Sequence, residues 1–158
     1  MKTIHDILIE LAQAAISNFD KGYKFERLMV GYLKTDPLYV SRFSDVWSWA
    51  EWPGRESGAD TGIDLVAQER ESGEFCAIQC KFYDQEHDLQ KSDIDSFFTA
   101  SGKRPFTSRI IISTSDRWSK HAEDALKEQH TPVIRIRVQD LDESAVDWSQ
   151  FDYVRKVL

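Results

Sequence analysis

No stretch of the sequence approaches the ~18 uninterrupted apolar residues of a membrane-spanning helix, so a membrane partner is not expected. The N-terminus, MKTIHDILIELAQAAISNF, carries acidic residues at amphipathic spacing where a signal peptide would carry a basic stretch and an apolar block. The expected location is therefore cytoplasmic. Cysteine is almost absent: the two thiols, Cys76 and Cys80, fall in one expected strand. There they would stand ~13 Å apart, beyond disulfide reach, which excludes a disulfide framework and predicts buried, reduced thiols. His5, His87, His121 and His130 show no paired metal-ligand spacing, which argues against a zinc site. The chain also lacks a G-x-x-x-x-G-K-[S/T] phosphate loop, an internal repeat, a low-complexity segment and an interdomain linker.

Positive charge is scarce as well. Lys and Arg number 20 against 27 Asp and Glu, a net charge of −7, opposite in sign to what phosphate neutralisation favours. Two considerations weaken that objection to a nucleic-acid substrate. A metal-dependent site concentrates carboxylates that a cation later offsets, and a domain within a larger protein can leave most of its substrate affinity to its neighbours.

What is present reads as one globular domain. Hydrophobic residues make up 41% of the 158 and charged residues 30%, an ordinary balance for a chain long enough to bury a core. A single domain over 1–158 is expected, with its core at about 24–137. Ile4, Ile7, Leu8, Leu11, Ala15 and Ile16 recur at helical spacing, Ser17 to Gly22 break the pattern, and Phe25, Leu28, Met29, Tyr32 and Leu33 resume it until Asp36-Pro37. Glu26 rides on the edge of that second stripe. The aromatic-rich stretch Val40 to Trp52 looks strand-like. A Gly-, Pro- and Asp-dense loop at 53–62 leads into Ile63 to Ala67, and Arg70 to Glu74 connect this run to Phe75–Lys81 as a β-hairpin.

Ser92-x-x-Asp95 has the form of a capping box for a helix ending near Gly102. Arg109 to Ser113 reads as a central strand, Trp118 to Leu126 as a helix and Val133 to Arg137 as a last strand. The order ααβββαβαβ implies an α/β fold with a helix-flanked mixed sheet. Trp47, Trp49 and Trp118 are read as core residues rather than base-stacking platforms.

Alternation along a strand puts Gln79 and Lys81 on one side and Cys80 on the other. Asp64 lies on the partner strand, so one choice of register gathers a carboxylate, an amide oxygen and an ammonium. Glu26 joins if its helix packs beside that sheet. Such a set suits phosphodiester hydrolysis. Mg2+ takes ~6 oxygen ligands, and Asp64, the Gln79 carbonyl and the Cys80 backbone carbonyl can supply three. Lys81 would position a water and stabilise developing negative charge. On spacing alone a D…QxK pattern fits a solvated strand face better than a site, Glu26 fits a solvated helix edge equally well, and Asp60 between Gly58 and Gly62 fits an Asx-turn better than a metal ligand. The flanking glycines and the apolar strands favour the site.

Gly58-Ala59-Asp60-Thr61-Gly62-Ile63-Asp64-Leu65-Val66, followed by Ile78-Gln79-Cys80-Lys81-Phe82-Tyr83, resembles the G-x-D-x-G-x-D-L…Q-C-K signature of Mrr-type restriction endonucleases of the PD-(D/E)XK superfamily. Here Ile63 replaces the usual proline and Gln79 the usual glutamate. Losing that anion turns attention to Glu26 and Asp60 as residues that complete the metal set. Asn18 to Gly22, Trp52-Pro53-Gly54-Arg55, Phe97 to Gly102 and Asp147 to Phe151 resemble, more narrowly, the N-terminal nuclease domain of type ISP restriction-modification enzymes.

The resemblance implies a PD-(D/E)XK restriction-endonuclease-like core and cleavage of double-stranded DNA with Mg2+, for which Mn2+ can substitute. It also implies a helicase-like ATPase, a methyltransferase and a target-recognition domain in the same polypeptide, of which this chain would be the N-terminal part. The competing expectations are a stand-alone Mrr-like nuclease for modified DNA and a degenerate fold kept for docking.

Overall fold

The computed structural model describes residues 2–55 and 62–151. Helix α1 (Ile4–Ala14) opens on a capping box between Thr3 and Asp6 and buries Ile4, Ile7, Leu8 and Leu11. Only Ala15 to Ser17 interrupt it before α2 (Asn18–Thr35). The expected break over residues 17–22 is therefore shorter. Ser17 caps α2 through the Asp20 backbone N–H, and Asp20 holds the Lys24 ammonium at 2.7 Å, so a polar first turn is stabilised without an apolar stripe.

The stretch expected as one strand from Val40 to Trp52 divides into three pieces. Asp36 caps α3 (Pro37–Arg42), with proline at its first turn, where its missing N–H costs nothing. Strand β1 (Phe43–Ser48) follows, and Trp49–Glu51 close as a 3-10 turn.

Strands β2 (Leu65–Glu69) and β3 (Phe75–Lys81) form the expected hairpin, with Leu65 opposite Ile78. After them come β4 (Asp88–Leu89), α4 (Lys91–Ser101), β5 (Phe106–Ser113), β6 (Arg117–Trp118), α5 (Lys120–Lys127), β7 (Val133–Ile136) and α6 (Val138–Asp142). The α4 capping box is Gln90 with Asp93 rather than the expected Ser92 with Asp95. The short parallel pair β4 and β6 was not foreseen.

The five-stranded sheet runs β1-β2-β3-β5-β7; the first two pairings are antiparallel and the last two parallel. Its alternate residues feed two apolar layers. Leu65, Ala67, Cys76, Ile78, Cys80, Ile110 and Ile112 pack with α1 and α2. Val66, Ala77 and Ile111 pack with Ile94 and Phe97 of α4 and Ala122 and Ala125 of α5. The three consecutive isoleucines of β5 are all buried because both faces of the strand are covered. Trp47, Trp49 and Trp118 lie partly buried against the second layer.

Candidate active site

The site residues gather where β3 ends and β2 begins. Asp64 sits one residue before β2 rather than within it. Its backbone N–H donates to the Ile78 carbonyl at 3.0 Å, and its own carbonyl accepts from Trp49 N–H at 2.9 Å. Its side chain crosses to β3, where Oδ2 accepts the Cys80 N–H at 2.7 Å. A charge-assisted bond of that length fixes the carboxylate rather than leaving it to sample rotamers.

Gln79 is 1% exposed. Its Nε2 donates to the Gly62 carbonyl at 3.3 Å, which sets the amide orientation, since the flipped amide would oppose two oxygens. Its Oε1 is buried and has no hydrogen-bond partner among the described residues. Buried carbonyl oxygens seldom remain orphaned, and this one belongs to the residue before Cys80, whose N–H fixes the Asp64 carboxylate.

Gly62 makes that arrangement possible. Its φ is +81°, and a Cβ there would lie 2.7 Å from Ser96 Oγ and 3.1 Å from the Phe97 backbone N. Only glycine lets the loop turn this way while lying against α4.

Lys81 follows two positions later on the same face of β3. It enters no ion pair among the described residues, and its Nζ stands 5.9 Å from the centroid of the Tyr83 ring. Glu26 approaches from α2: it shares with Asp64 a cleft of about 710 Å3, whose walls include Phe19, Tyr23 and Trp49. Burial pushes the Cys80 thiol well up, the Asp64 and Glu26 carboxylates push it further, and Lys81 partly offsets them. All three charged groups therefore lie within electrostatic reach of one thiol. Burial likewise raises Cys76, to about 11, so both cysteines are protonated apolar residues at neutral pH.

The structure thus ties Asp64 to the backbone of β3 between Gln79 and Lys81 and sets Glu26 on a cleft that Asp64 also lines, while Gln79 and Lys81 are not among the residues lining that cleft. Asp60 lies outside the described residues. No three His, Cys, Asp or Glu side chains converge as a metal cluster among the described residues. The donors that do converge are oxygens, with the unpartnered Gln79 Oε1 between Asp64 and Lys81 in chain order along the hairpin, and such a set suits a hard, oxygen-preferring cation. The sequence reading missed the anchoring of Asp64 by Trp49, which follows from strand pairing at β1. It also missed the contacts of Tyr83, which depend on the conformation of the loop that follows β3.

A mixed sheet with helices on both faces, carrying an acid, an amide and a lysine at the end of its central strand, defines a domain of the restriction-endonuclease type. The chain belongs to the Mrr_cat_2 family, described as restriction endonuclease, which it matches over residues 34–158; Glu26 precedes that stretch. Over 99% of its length it superposes on the ATP-dependent type ISP restriction-modification enzyme LlaBIII bound to DNA, with a TM-score of 0.79 and 33% sequence identity. It spans 9% of that enzyme's chain. The DNA modification-dependent restriction endonuclease AspBHI shares the fold, with a TM-score of 0.57 over 87% of this chain and 33% of its own, at 17% identity. No curated protein sequence matches the chain.

Proposed function

We propose that the domain hydrolyses phosphodiester bonds of double-stranded DNA with the help of Mg2+ or Mn2+, as the cleavage module of an ATP-driven restriction-modification polypeptide. The observation that carries this reading is the orphaned, buried Gln79 Oε1, on the residue before Cys80, whose N–H fixes the Asp64 carboxylate. The similarity to LlaBIII, a DNA-bound type ISP enzyme at 33% identity, supports the choice of substrate and of setting.

Asp64, the Gln79 amide oxygen and the Cys80 backbone carbonyl would hold the cation, with Glu26 or Asp60 completing the set. The cation supplies polarisation of the phosphate and a more acidic bound water. The chain's own part is positional and electrostatic. The Cys80 N–H holds the Asp64 carboxylate, so its orientation survives when no cation is present. Gly62 holds the Gln79 amide with its oxygen turned away from the loop. Lys81, unpaired with any carboxylate among the described residues, brings a full positive charge to the negative charge that develops on the phosphate, can hold the attacking water by a hydrogen bond to its oxygen, and has a proton to give to the departing oxygen.

The test is supercoiled DNA incubated with the purified protein in Mg2+, Mn2+ or chelator. Cleavage is expected only with metal, and Asp64→Ala and Lys81→Met each reduce it at least about a hundredfold while melting within a few degrees of wild type. Undiminished cleavage by both variants refutes the reading.

A further inference from the structure

Lys81 faces a difficulty of its own. A four-carbon side chain whose ammonium acts on the same Cys80 thiol as the Asp64 and Glu26 carboxylates has anionic groups in its neighbourhood, and oppositely charged groups attract strongly at a partly buried site. Yet Lys81 makes no ion pair among the described residues and rests toward the face of Tyr83, with Nζ 5.9 Å from the ring centroid.

Tyr83 itself is held through both its backbone and its ring. Its backbone N–H donates to Thr114 Oγ1 at 2.7 Å, and that hydroxyl donates to the Tyr83 carbonyl at 2.5 Å, tying the residue to the end of β5. The His87 ring stacks on the Tyr83 ring with centroids 4.0 Å apart. Asp93, at the first turn of α4, takes a hydrogen bond from Gln90 N–H at 2.8 Å and lies 3.2 Å from His87 Nε2. The carbonyl of His87 is in turn pinned by Ser115 Oγ. Burial first, and the Asp93 carboxylate next, push the tyrosine hydroxyl up to about 12, so it remains a donor throughout the neutral range. The loop from Phe82 to Gln90 is thus fastened to β5 and α4 in a way that fixes one aromatic face near one ammonium.

We infer that Tyr83 is a positioning residue for Lys81, its backbone tied to Thr114 and its ring stacked on His87, which Asp93 in turn holds, so that the ammonium has a resting face other than a carboxylate. The inference rests on the proposed role of Lys81 in DNA cleavage, but its first test does not. A cation over an aromatic face is attracted by the ring quadrupole, and the ring current displaces the resonances of the groups beneath it.

In the 158-residue chain labelled with 13C-lysine, the Lys81 ε-methylene signal, assigned through Lys81→Arg, is expected upfield of the other lysines. Tyr83→Leu should return it to the ordinary position, and Tyr83→Phe should leave it displaced. His87→Ala, which removes the stacking partner without touching the ring, should reduce the displacement partway and serves if Tyr83→Leu does not fold. In cleavage assays Tyr83→Leu should lower kcat about fivefold at unchanged KM, and Tyr83→Phe should restore most of it. A Lys81 signal that stays in place in both Tyr83→Leu and His87→Ala overturns the inference. Cleavage that survives Lys81→Met overturns instead the function on which it rests.

Discussion

Restoring the carboxylate at position 79 probes the candidate metal set directly. In Gln79→Glu the buried amide becomes a carboxyl group that, once ionised, no longer donates to the Gly62 carbonyl, a loss of about 1 kcal/mol. If ionised, the new group would lie in a nearly inaccessible position (1% exposed), one residue before the Cys80 N–H that holds Asp64, and Lys81 could offset it only by leaving its place near Tyr83.

The carboxyl will resist ionisation. Its folded pKa rises above the unfolded value of about 4.3, so the added cost is absent below that pH and grows as pH rises toward the folded pKa. At pH 8, where the group is ionised in the unfolded chain, keeping it charged in that buried position costs about 2–3 kcal/mol. With the lost hydrogen bond the total is near 3–4 kcal/mol, or about 6–16 °C in Tm for a domain of this size.

A divalent cation reverses the sign of the effect, since it gains an anionic ligand. A tenfold tighter Kd adds about 1.4 kcal/mol to metal-linked stability at saturating metal, a further 3–5 °C or so of metal-induced stabilisation relative to wild type. Thermal melts followed by circular dichroism, in chelator and in excess Mg2+ or Mn2+, read both quantities. If Gln79→Glu melts with wild type in chelator, or gains no more from metal than wild type does, Gln79 Oε1 does not face a cation and the metal set must be redrawn.

Gly62→Ala should destabilise by about 2–3 kcal/mol, from its left-handed φ and the encroachment on Ser96, and should reduce cleavage more than a core substitution of equal cost, because it moves the loop that orients Gln79 and Asp64; melts and nicking assays on matched variants separate the two. Cys76 and Cys80, both buried and both raised by burial, should resist a thiol reagent at pH 8 in the native protein and react completely in denaturant; rapid native labelling of either would contradict their placement in the core. Burial raises the Asp93 carboxyl, but hydrogen bonds from Gln90 and His87 outweigh it and hold the pKa below its usual 3.8. Its contribution is therefore present above about that pH and lost as pH falls through the folded value, so Asp93→Asn should flatten the acid limb of a Tm-against-pH curve below 4.

Much of the fold is written in periodicity, and the exceptions share a cause. Alternation in β2 and β3, and the isoleucine run of β5, follow from strands covered on both faces. Residues 40–42 belong to α3 and not to the expected strand: Val40 is a good strand former, but the Asp36-Pro37 pair that ends α2 also begins α3 as cap and first-turn residue. Local capping chemistry prevailed over strand propensity. Gln90 likewise took the capping position expected of Ser92, since the β4 pairing ends at Leu89 and leaves the next residue to start the helix. At the site, Gln79 and Lys81 were legible because a period of two admits one arrangement. The bond from Cys80 N–H to Asp64 depends on hairpin register, and the Tyr83 contacts on loop closure between distant elements, neither of which sequence spacing encodes.

The glutamine at position 79 has a physical rationale in the charges already present. Asp64 is fixed against Cys80, and Glu26 stands on the same cleft close enough for both to raise the Cys80 thiol. A third carboxylate, almost wholly buried, would add mutual repulsion to desolvation, and in the metal-free protein Lys81 could relieve it only by leaving its place near Tyr83 to form an ion pair. The neutral amide avoids that. It presents an acceptor oxygen of the same geometry, is oriented by Gly62, and leaves the ammonium uncommitted. The expected consequence is a domain whose metal-free fold is intact and whose cation binding is weak until another ligand arrives, and a phosphate oxygen of the substrate is the ligand best suited to complete the set.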